Sequence, residues 1–352
     1  MRLNIAVVPH NGSGPEVTTQ SIKVLNAIAL EFDHQILFKI ADLNDEDSSL
    51  KKGIELCKSS DAILASNDSF LQSKTLRAQL NVYASSTIVK SYQSLTVNSP
   101  LKKEVISGTN ILFFNELNLS NELNEKHTSK NNNYAFDSNE NTRQEIELVA
   151  KKAFKAALTR GKKVTLINKS SSSQVSALWS EVAGLLSLQY PEIKFDITNL
   201  ENAVTQLLLT PNLFDIVLTE RVISNVLIQQ SSVLTGSIGL HSTSYIGQKQ
   251  SLFFPTIHNH LNDTDYKNPN PLASILSAAM LLEHFGLYSE SEMVKTAVNR
   301  SLELNITTPD LNSTYNNITT NKVGDFIADF IMNPHDSNAN FKNIHLGQST
   351  II

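Results

Sequence analysis

The sequence predicts an α/β protein, because short apolar runs typical of strands alternate along the chain with helical patterns. Residues 3–9 form such a strand and are followed by a helical pattern over residues 17–28. The same alternation recurs over residues 34–66 and again where a helix precedes the strand at residues 164–168. With 352 residues, the chain is long enough for one large domain or two medium-sized domains with a substantial core.

Composition excludes several classes of protein. No apolar run approaches the roughly 18 residues that cross a bilayer, and the N-terminus has no signal-peptide pattern. A net charge of −5 with scattered lysines offers no basic stripe for nucleic acid. The single cysteine, Cys57, forms no intrachain disulfide and indicates a reducing compartment, so we expect a cytoplasmic protein in which Cys57 is a packing residue.

The first strand leads into the turn HNGSGPE at residues 10–16. Pro15 suits the first turn of the following helix, where its missing N–H costs nothing. Next come a strand at residues 34–42, a helix at 53–60 and a strand at 61–66.

A strongly apolar strand at residues 111–117 precedes a polar, asparagine-rich stretch, which we interpret as a mobile loop over residues 118–133. Within it, His127 is expected to be a solvated loop residue rather than a ligand. A helix then closes at Gly161, and the strand that follows ends at Lys169. The helix at residues 174–188 presents one apolar face that we expect in the core: Val175, Leu178, Trp179, Val182 and Leu185.

Residues 214–239 contain a strand, FDIVLT, followed by a helical pattern that Gly236 is placed to end. Asn225 and Gln229 are four residues apart on this helix, so both side chains point to the same side. A later helix, at residues 273–287, is apolar all round, so we expect it to be buried at a domain interface.

The threonine–glutamate pair, the polar i/i+4 pair and the segment SVLTGSIG of this stretch together resemble the metal-binding helix of the isopropylmalate and isocitrate dehydrogenases, with the isopropylmalate branch closer. The resemblance spans nearly the whole chain. It implies two α/β subdomains around a central cleft, residues 1–92 plus 245–352 on the cofactor side and residues 93–244 with the metal helix and dimer interface. It also implies NAD, magnesium, a dimer and oxidative decarboxylation of a 2-hydroxy acid such as 3-isopropylmalate, in leucine biosynthesis. This is not the GxGxxG dinucleotide-binding fold.

Several positions match the family's site residues. The resemblance implies a proton-transferring role for Lys169, a substrate contact for Arg77 and a metal carboxylate at Glu201. It implies cofactor contacts at Gly12, Gly14 and Asn270. Two alternatives stay open: the turn at residues 10–16 joins a strand to a helix without a ligand, and Lys169 is a surface lysine.

Other positions depart from the family pattern. The two metal aspartates are replaced by Asn225 and Gln229, two substrate arginines by Thr87 and Asn115, and the catalytic tyrosine by Glu122. Further replacements follow the catalytic lysine and fall in the cofactor loop: Ser171, Phe254, Ile257 and Asn262, with His258 able to replace a histidine through a one-residue shift. Losing one well-placed charged group costs about 3 kcal/mol of transition-state stabilisation, so a normal turnover rate is not expected.

Three hypotheses follow. In the first, the chain is a non-catalytic or impaired paralogue, a homodimer or a partner subunit in a heterodimer with an active homologue. In that family the lysine and one aspartate reach the neighbour's site, and these are the positions that keep their chemistry here, as Lys169 and Glu201. In the second, it is a weakened NAD- and magnesium-dependent dehydrogenase. In the third, it is a drifted paralogue retained for binding only.

Overall fold

Strands and helices alternate through most of the computed structural model. The structure describes residues 1–9, 12–43, 47–67, 79–117, 126–128, 135–137, 141–170, 173–256, 268–311 and 318–333. The strands within them are β1 (Arg2–Val8), β2 (Gln35–Ile40), β3 (Ala62–Ala65), β4 (Val82–Lys90), β5 (Asn110–Glu116), β6 (Lys126–Thr128), β7 (Ala135–Asp137), β8 (Lys163–Asn168), β9 (Lys194–Asn199), β10 (Ile216–Thr219), β11 (Ser242–Gly247) and β12 (Leu252–Pro255).

The helices in the same residues are α1 (Gly14–Glu31), α2 (Asp47–Ser59), α3 (Lys103–Ile106), α4 (Arg143–Leu158), α5 (Gln174–Ser187), α6 (Leu200–Leu209), α7 (Arg221–Thr235), α8 (Leu272–His284), α9 (Tyr288–Glu303) and α10 (Thr320–Met332). Short 3-10 turns occupy Gln93–Asn98, Pro211–Leu213 and Ile238–Leu240. None of these helices is both long and apolar enough to cross a membrane.

Ten strands form one mixed sheet in the order β2-β1-β3-β12-β11-β4-β5-β10-β8-β9. The first four strands in this order run parallel to one another, and so do the last four. Between them, β11 and β4 pair antiparallel with both of their neighbours. The centre of the sheet therefore joins two parallel blocks that run in opposite directions.

Helices cover both faces of the sheet, because both faces of its strands are apolar. In β1, Leu3, Ile5 and Val7 pack into a core with α1, α8, α9 and α10, whereas Ala6 and Val8 pack into a second core with α2. In β5, the buried Phe114 packs with α4 and α5, and the adjacent Phe113 packs with α6 and α7. This layered arrangement confirms the predicted α/β class and matches what parallel strands require.

The predicted subdomain boundaries remain a prediction. The strands from residues 2–90 and 242–255 lie in one part of the sheet and those from residues 110–219 in the other. The predicted boundary at residues 244 and 245 falls within β11, which pairs with β12 on one side and β4 on the other.

Several local predictions are confirmed. Gly236 ends α7 in the left-handed region, with φ of +70°. Cys57 is fully buried in a core, and burial raises the pKa of its thiol to about 12. Helix α8 is buried on nearly all sides, as its continuous apolar sequence indicates.

Two expectations were wrong. Residues 126–128 were predicted as part of a loop, but they form a strand that pairs antiparallel with residues 135–137. Polar composition hid this strand, because a three-residue ladder depends on backbone pairing rather than on apolar side chains. Leu185 was assigned to the core, but it is exposed, and Leu186 occupies the buried position instead. The apolar side chains of α5 cover more of the helix surface than the part that packs against the sheet, so Leu185 stays outside the core.

We expect Gly236→Ala to destabilise the chain. A left-handed residue with a side chain costs about 1–2 kcal/mol, and the added Cβ of residue 236 would lie 2.6 Å from the carbonyl oxygen of Leu95. Gly184→Ala is the matched control, because Gly184 lies within α5 with no neighbouring atom near its would-be Cβ. That change should stabilise by about 0.5–1 kcal/mol. Urea unfolding of both variants measures the effects, and equal behaviour would contradict the assignment.

Candidate functional site

A small pocket of about 210 Å³, here called the polar pocket, lies on one face of β4, β5 and β11 against helix α7. Successive side chains of a strand point to opposite faces, so alternate residues of each strand reach the pocket. The lining residues are Ser85, Thr87, Asn115, Asn225, Ile228, Gln229, Thr243, Tyr245, Phe254 and Thr256. Hydroxyl and amide groups dominate this lining.

Hydroxyl groups in the polar pocket are paired with one another. The Oγ1 atoms of Thr87 and Thr243 are 2.8 Å apart across β4 and β11, and Thr243 Oγ1 lies 2.5 Å from Thr256 Oγ1. The amide nitrogen of Asn115 donates to the carbonyl oxygen of Glu116 at 2.7 Å. Part of the polar lining is therefore engaged in holding the strands at their spacing.

Four residues that the sequence analysis assigned to family site positions meet in this pocket. Thr87 and Asn115 stand where substrate arginines were expected, and Asn225 and Gln229 stand where metal aspartates were expected. The predicted shared side of Asn225 and Gln229 is observed, because both line the pocket one helical turn apart. Phe254, aligned with a cofactor-loop glutamate, also lines it and is otherwise buried.

The described lining of the polar pocket does not fit a magnesium ion. It contains no carboxylate, and no group of three His, Cys, Asp or Glu side chains within the described residues could hold a metal. Magnesium is a hard cation that is bound through carboxylates, and the amide oxygens of Asn225 and Gln229 bring no negative charge. We therefore derive no chemical step through a metal at this position.

Lys169 and Glu201 lie elsewhere, at the carboxyl edge of β8 and β9. Lys169 follows the last residue of β8, and Glu201 lies in the first turn of α6, directly after β9. Both side chains are exposed, and neither lines the polar pocket. Within this single chain, the two residues expected to act on a neighbour's site are thus separate from the pocket and open to contact.

Glu220 is the acidic neighbour of Lys169 at this edge. The backbone N–H of Lys169 donates to Ser176 Oγ at 3.2 Å, and Ser176 Oγ donates to Glu220 Oε1 at 3.4 Å. Burial raises the pKa of the Glu220 carboxyl, while the charge of Lys169 and the Ser176 hydrogen bond act in the opposite direction. Lys169 therefore has a carboxyl group within electrostatic reach.

Glu116 is the last residue of β5, and its side chain lies at the first residue of helix α7. Both of its carboxylate oxygens accept from the backbone N–H of Arg221, at 3.0 and 3.1 Å. Its side chain is almost fully buried, and burial raises its pKa to about 8, against the lowering effect of the Arg221 hydrogen bond and with a further increase from Glu220. Near neutral pH this carboxyl is therefore largely protonated.

Sequence reasoning did not identify Glu116 and Glu220 as site residues. One signal was available, because an acidic residue just before a helix suits the positive end of the helix dipole, and Glu220 immediately precedes α7. Glu116 gives no such signal, since it reaches α7 from another strand, 105 residues away in sequence.

The predicted cofactor positions have structural explanations of their own. Gly12 adopts φ of +75°, and a Cβ on Gly14 would lie 2.7 Å from Ser66 Oγ, so both glycines allow the tight passage from β1 into α1. Asn270 accepts from the backbone N–H of Leu272 at 2.9 Å and donates to Asp310 at 2.9 Å. Cofactor contacts at these positions remain predictions.

The remaining predicted residues are not part of the described structure. They are Arg77, Glu122, Ser171, Ile257, His258 and Asn262. For His127, the structure describes the strand but not the side chain.

The family model for isocitrate/isopropylmalate dehydrogenase matches residues 4–327 of this chain. The 3-isopropylmalate dehydrogenase of Priestia megaterium is 35% identical over 358 residues, covering 95% of this chain and 97% of that protein. The 3-isopropylmalate dehydrogenase of Bacteroides fragilis is 31% identical over 353 residues, covering 94% and 99% respectively.

Solved structures agree on the fold. An isocitrate dehydrogenase from Methylococcus capsulatus superposes with a TM-score of 0.78 at 23% identity, covering 94% of this chain and all of that one. A β-decarboxylating dehydrogenase from Thermococcus kodakarensis gives a TM-score of 0.76 at 23% identity, covering 94% and 96%. At this identity the likeness shows the fold alone, and it confirms the architecture predicted from the resemblance.

We expect the chain to lose stability as pH rises from about 4.5 to about 8. Over this interval an unfolded Glu116 ionises while the folded carboxyl keeps its proton, so the folded state binds more protons and unfolding becomes easier. Glu116→Gln should reduce this slope, because an amide does not titrate. Glu201→Gln, which makes the same substitution at an exposed carboxylate, is the comparison variant. Urea midpoints measured across this pH range provide the test; a slope that Glu116→Gln leaves intact would assign the titration to another group.

Proposed function

The chain belongs to the isocitrate/isopropylmalate dehydrogenase family, and from that membership we propose that it is a non-catalytic or strongly impaired paralogue that acts as a partner subunit. One observation carries the proposal. Thr87, Asn115, Asn225 and Gln229 line the same pocket, and no carboxylate or basic side chain joins them among the described residues. A neutral pocket is poorly matched to an anionic substrate and a divalent cation at once.

The absence of charged side chains from the described lining of the polar pocket explains why we expect a low turnover rate. A dicarboxylate substrate is best held by arginine, whose planar fork donates two parallel hydrogen bonds to each carboxylate. Thr87 and Asn115 offer only neutral hydrogen bonds, and both already make one, Thr87 with Thr243 and Asn115 with the carbonyl oxygen of Glu116. Each absent charged contact costs about 3 kcal/mol of transition-state stabilisation, although such losses do not add.

Two features support the partner role. Lys169 and Glu201 keep a cationic and an anionic side chain, and both are exposed and outside this chain's own pocket. Helix α7, which supplies Asn225 and Gln229, also exposes Val222 and Val226, of which 67% and 56% remain accessible. These two valines are one helical turn apart, so they lie on the same side of α7 and are available for a subunit contact.

A second candidate function rests on Lys169. Its neighbour Glu220 is buried at the carboxyl edge of the adjacent strand, and burial raises the pKa of that carboxyl against the lowering effect of the charge of Lys169. In this case the chain is a weakened or redirected NAD- and magnesium-dependent dehydrogenase acting on a small 2-hydroxy acid. The two candidates differ in whether the isolated chain produces NADH in the presence of magnesium.

Restoring carboxylates should restore ion binding. We expect the unmodified chain to bind magnesium no more tightly than the millimolar range, and Asn225→Asp with Gln229→Asp to tighten binding by about tenfold or more. Asn202→Asp with Gln206→Asp is the matched control, because it makes the same i/i+4 change on the exposed face of α6. Calorimetric titration with magnesium, then with NAD and 3-isopropylmalate, gives the measurement. Micromolar magnesium binding with NADH production by the unmodified chain would refute the proposal and favour the second candidate.

A charge placed on helix α7 should weaken subunit association. Val226→Glu puts a carboxylate among exposed apolar side chains, so we expect at least a tenfold weaker association of the chain with itself or with an intact homologue of the same cell. Leu30→Glu, at a leucine of α1 that is 63% accessible, is the control and should not change association. Sedimentation velocity of the chain, alone and mixed with that homologue, measures both. A chain that stays monomeric in both samples contradicts the partner role.

A further inference from the structure

A second and larger cavity lies on the opposite face of the same central strands. Its volume is about 900 Å³, within the roughly 300–1,000 Å³ typical of ligand pockets. Ser86, Ile88 and Lys90 of β4 point into it, whereas Ser85 and Thr87 of the same strand point into the polar pocket. Helices α4, α8 and α9 supply the other walls. We call it the cationic cavity.

Cations outnumber carboxylates in the lining of this cavity. The basic residues are Lys90, Lys152, Lys155, Arg160 and Lys295, and the acidic residues are Asp215, Glu283 and Glu292. Lys152 and Lys155 lie three residues apart on one face of α4, so both ammonium groups are directed to the same wall.

Each acidic residue of the lining already forms an ion pair with a basic residue of the same lining. Arg160 Nε donates to Asp215 Oδ1 at 3.0 Å, and Lys295 Nζ pairs with both Glu283 and Glu292. Within the described part of the chain, Lys90, Lys152 and Lys155 form no ion pair, although Lys90 lies 5.6 Å from the centre of the Tyr92 ring. Three lysines are thus left without an ion-pair partner, and the described lining has two more basic than acidic side chains.

Two of these three lysines are only partly exposed. Burial lowers the pKa of Lys90, and the charges of Lys295 and Arg160 lower it further, against Glu292 and Glu283. Burial and the nearby Lys155 lower the pKa of Lys152, and burial and Lys152 lower that of His284 on the facing helix. The positive groups therefore repel one another, and an anion placed among them would relieve that repulsion.

The floor of the cavity is apolar. It is formed by Ile88, Leu112, Phe114, Ile246, Phe253 and Met280. A bare inorganic ion would leave this surface against water, whereas a molecule with an apolar or aromatic body would cover it. The unpaired cations are lysines, which act as point charges toward phosphate, rather than arginines with a carboxylate-matching fork.

We propose that the cationic cavity binds a small organic polyphosphate, with its phosphate groups on Lys90, Lys152 and Lys155 and its body on the apolar floor. This site is separate from the polar pocket, since the two lie on opposite faces of the sheet. The inference is independent of the proposed function, because it holds for an active and an inactive family member alike.

Calorimetric titration of the full chain in EDTA at low ionic strength tests the proposal, with three probes: adenosine triphosphate, inorganic triphosphate and adenosine. We expect adenosine triphosphate to bind most tightly, inorganic triphosphate more weakly, and adenosine only marginally. Equal affinity for the two triphosphates would mean that the organic body does not contact the apolar floor, which contradicts the proposed organic ligand. An absence of binding in the millimolar range would overturn the proposal altogether.

Lys152→Gln with Lys155→Gln should weaken binding of adenosine triphosphate by about tenfold or more. Lys51→Gln with Lys52→Gln is the control, because it removes the same charge from two exposed lysines of α2 and should change affinity by less than about twofold. Lys90→Met, which keeps the apolar stem, should weaken binding as well. If both double variants lose affinity equally, the binding is a response to net charge and the site is refuted; an unchanged affinity in Lys152→Gln with Lys155→Gln refutes it also.

Discussion

Strand β4 is the element on which the rest of the structure depends. It pairs antiparallel with β11 along one edge and with β5 along the other, so β4 and β11 together join the two parallel blocks of the sheet. Parallel blocks need helices on both faces, and those helices leave room over the central strands. Both cavities lie over these central strands. Alternate residues of β4 line each of them, because successive side chains of a strand point to opposite faces.

The chemistry of each cavity follows from which side chains the sheet and helices deliver. On one face, threonine, serine, asparagine and glutamine groups meet, and several satisfy one another. Such a lining needs no compensating charge and carries little cost of desolvation. On the other face, lysines from β4 and α4 meet without enough carboxylates. Two surfaces of a single sheet thus differ in charge, although they share the same backbone.

Much of the fold could be predicted from the sequence, because the spacing of apolar residues within a single segment distinguishes a strand from a helix. Gly236 was identified as the end of α7 because a helix commonly ends in a left-handed glycine. The shared direction of Asn225 and Gln229 followed from helical spacing alone. Family resemblance then indicated that Thr87 and Asn115, which lie on two strands distant in sequence from α7, belong with them.

The remaining features depend on contacts between distant segments. The burial of Glu116 requires β5 to end against the start of α7, and no local pattern encodes that contact. The exposure of Leu185, Val222 and Val226 depends on which strip of each helix meets the sheet, and an apolar stripe alone does not define its width. The cationic cavity draws its residues from three helices and four strands, so its charge imbalance is visible only in three dimensions.

Neighbouring residues of β4 pair with β11 through hydroxyls on opposite sides of the sheet. Ser86 Oγ and Ser244 Oγ are 2.8 Å apart in the cationic cavity, and Thr87 and Thr243 form the equivalent pair in the polar pocket. Only the backbone of β4 and β11 therefore separates the polar pocket from the cationic cavity at this point. A shift of β4 along or away from β11 changes both hydroxyl pairs together. A ligand of either the polar pocket or the cationic cavity that favours one spacing between β4 and β11 would therefore change the geometry of the other site. Thermodynamic linkage makes the effect on the two binding free energies equal in both directions.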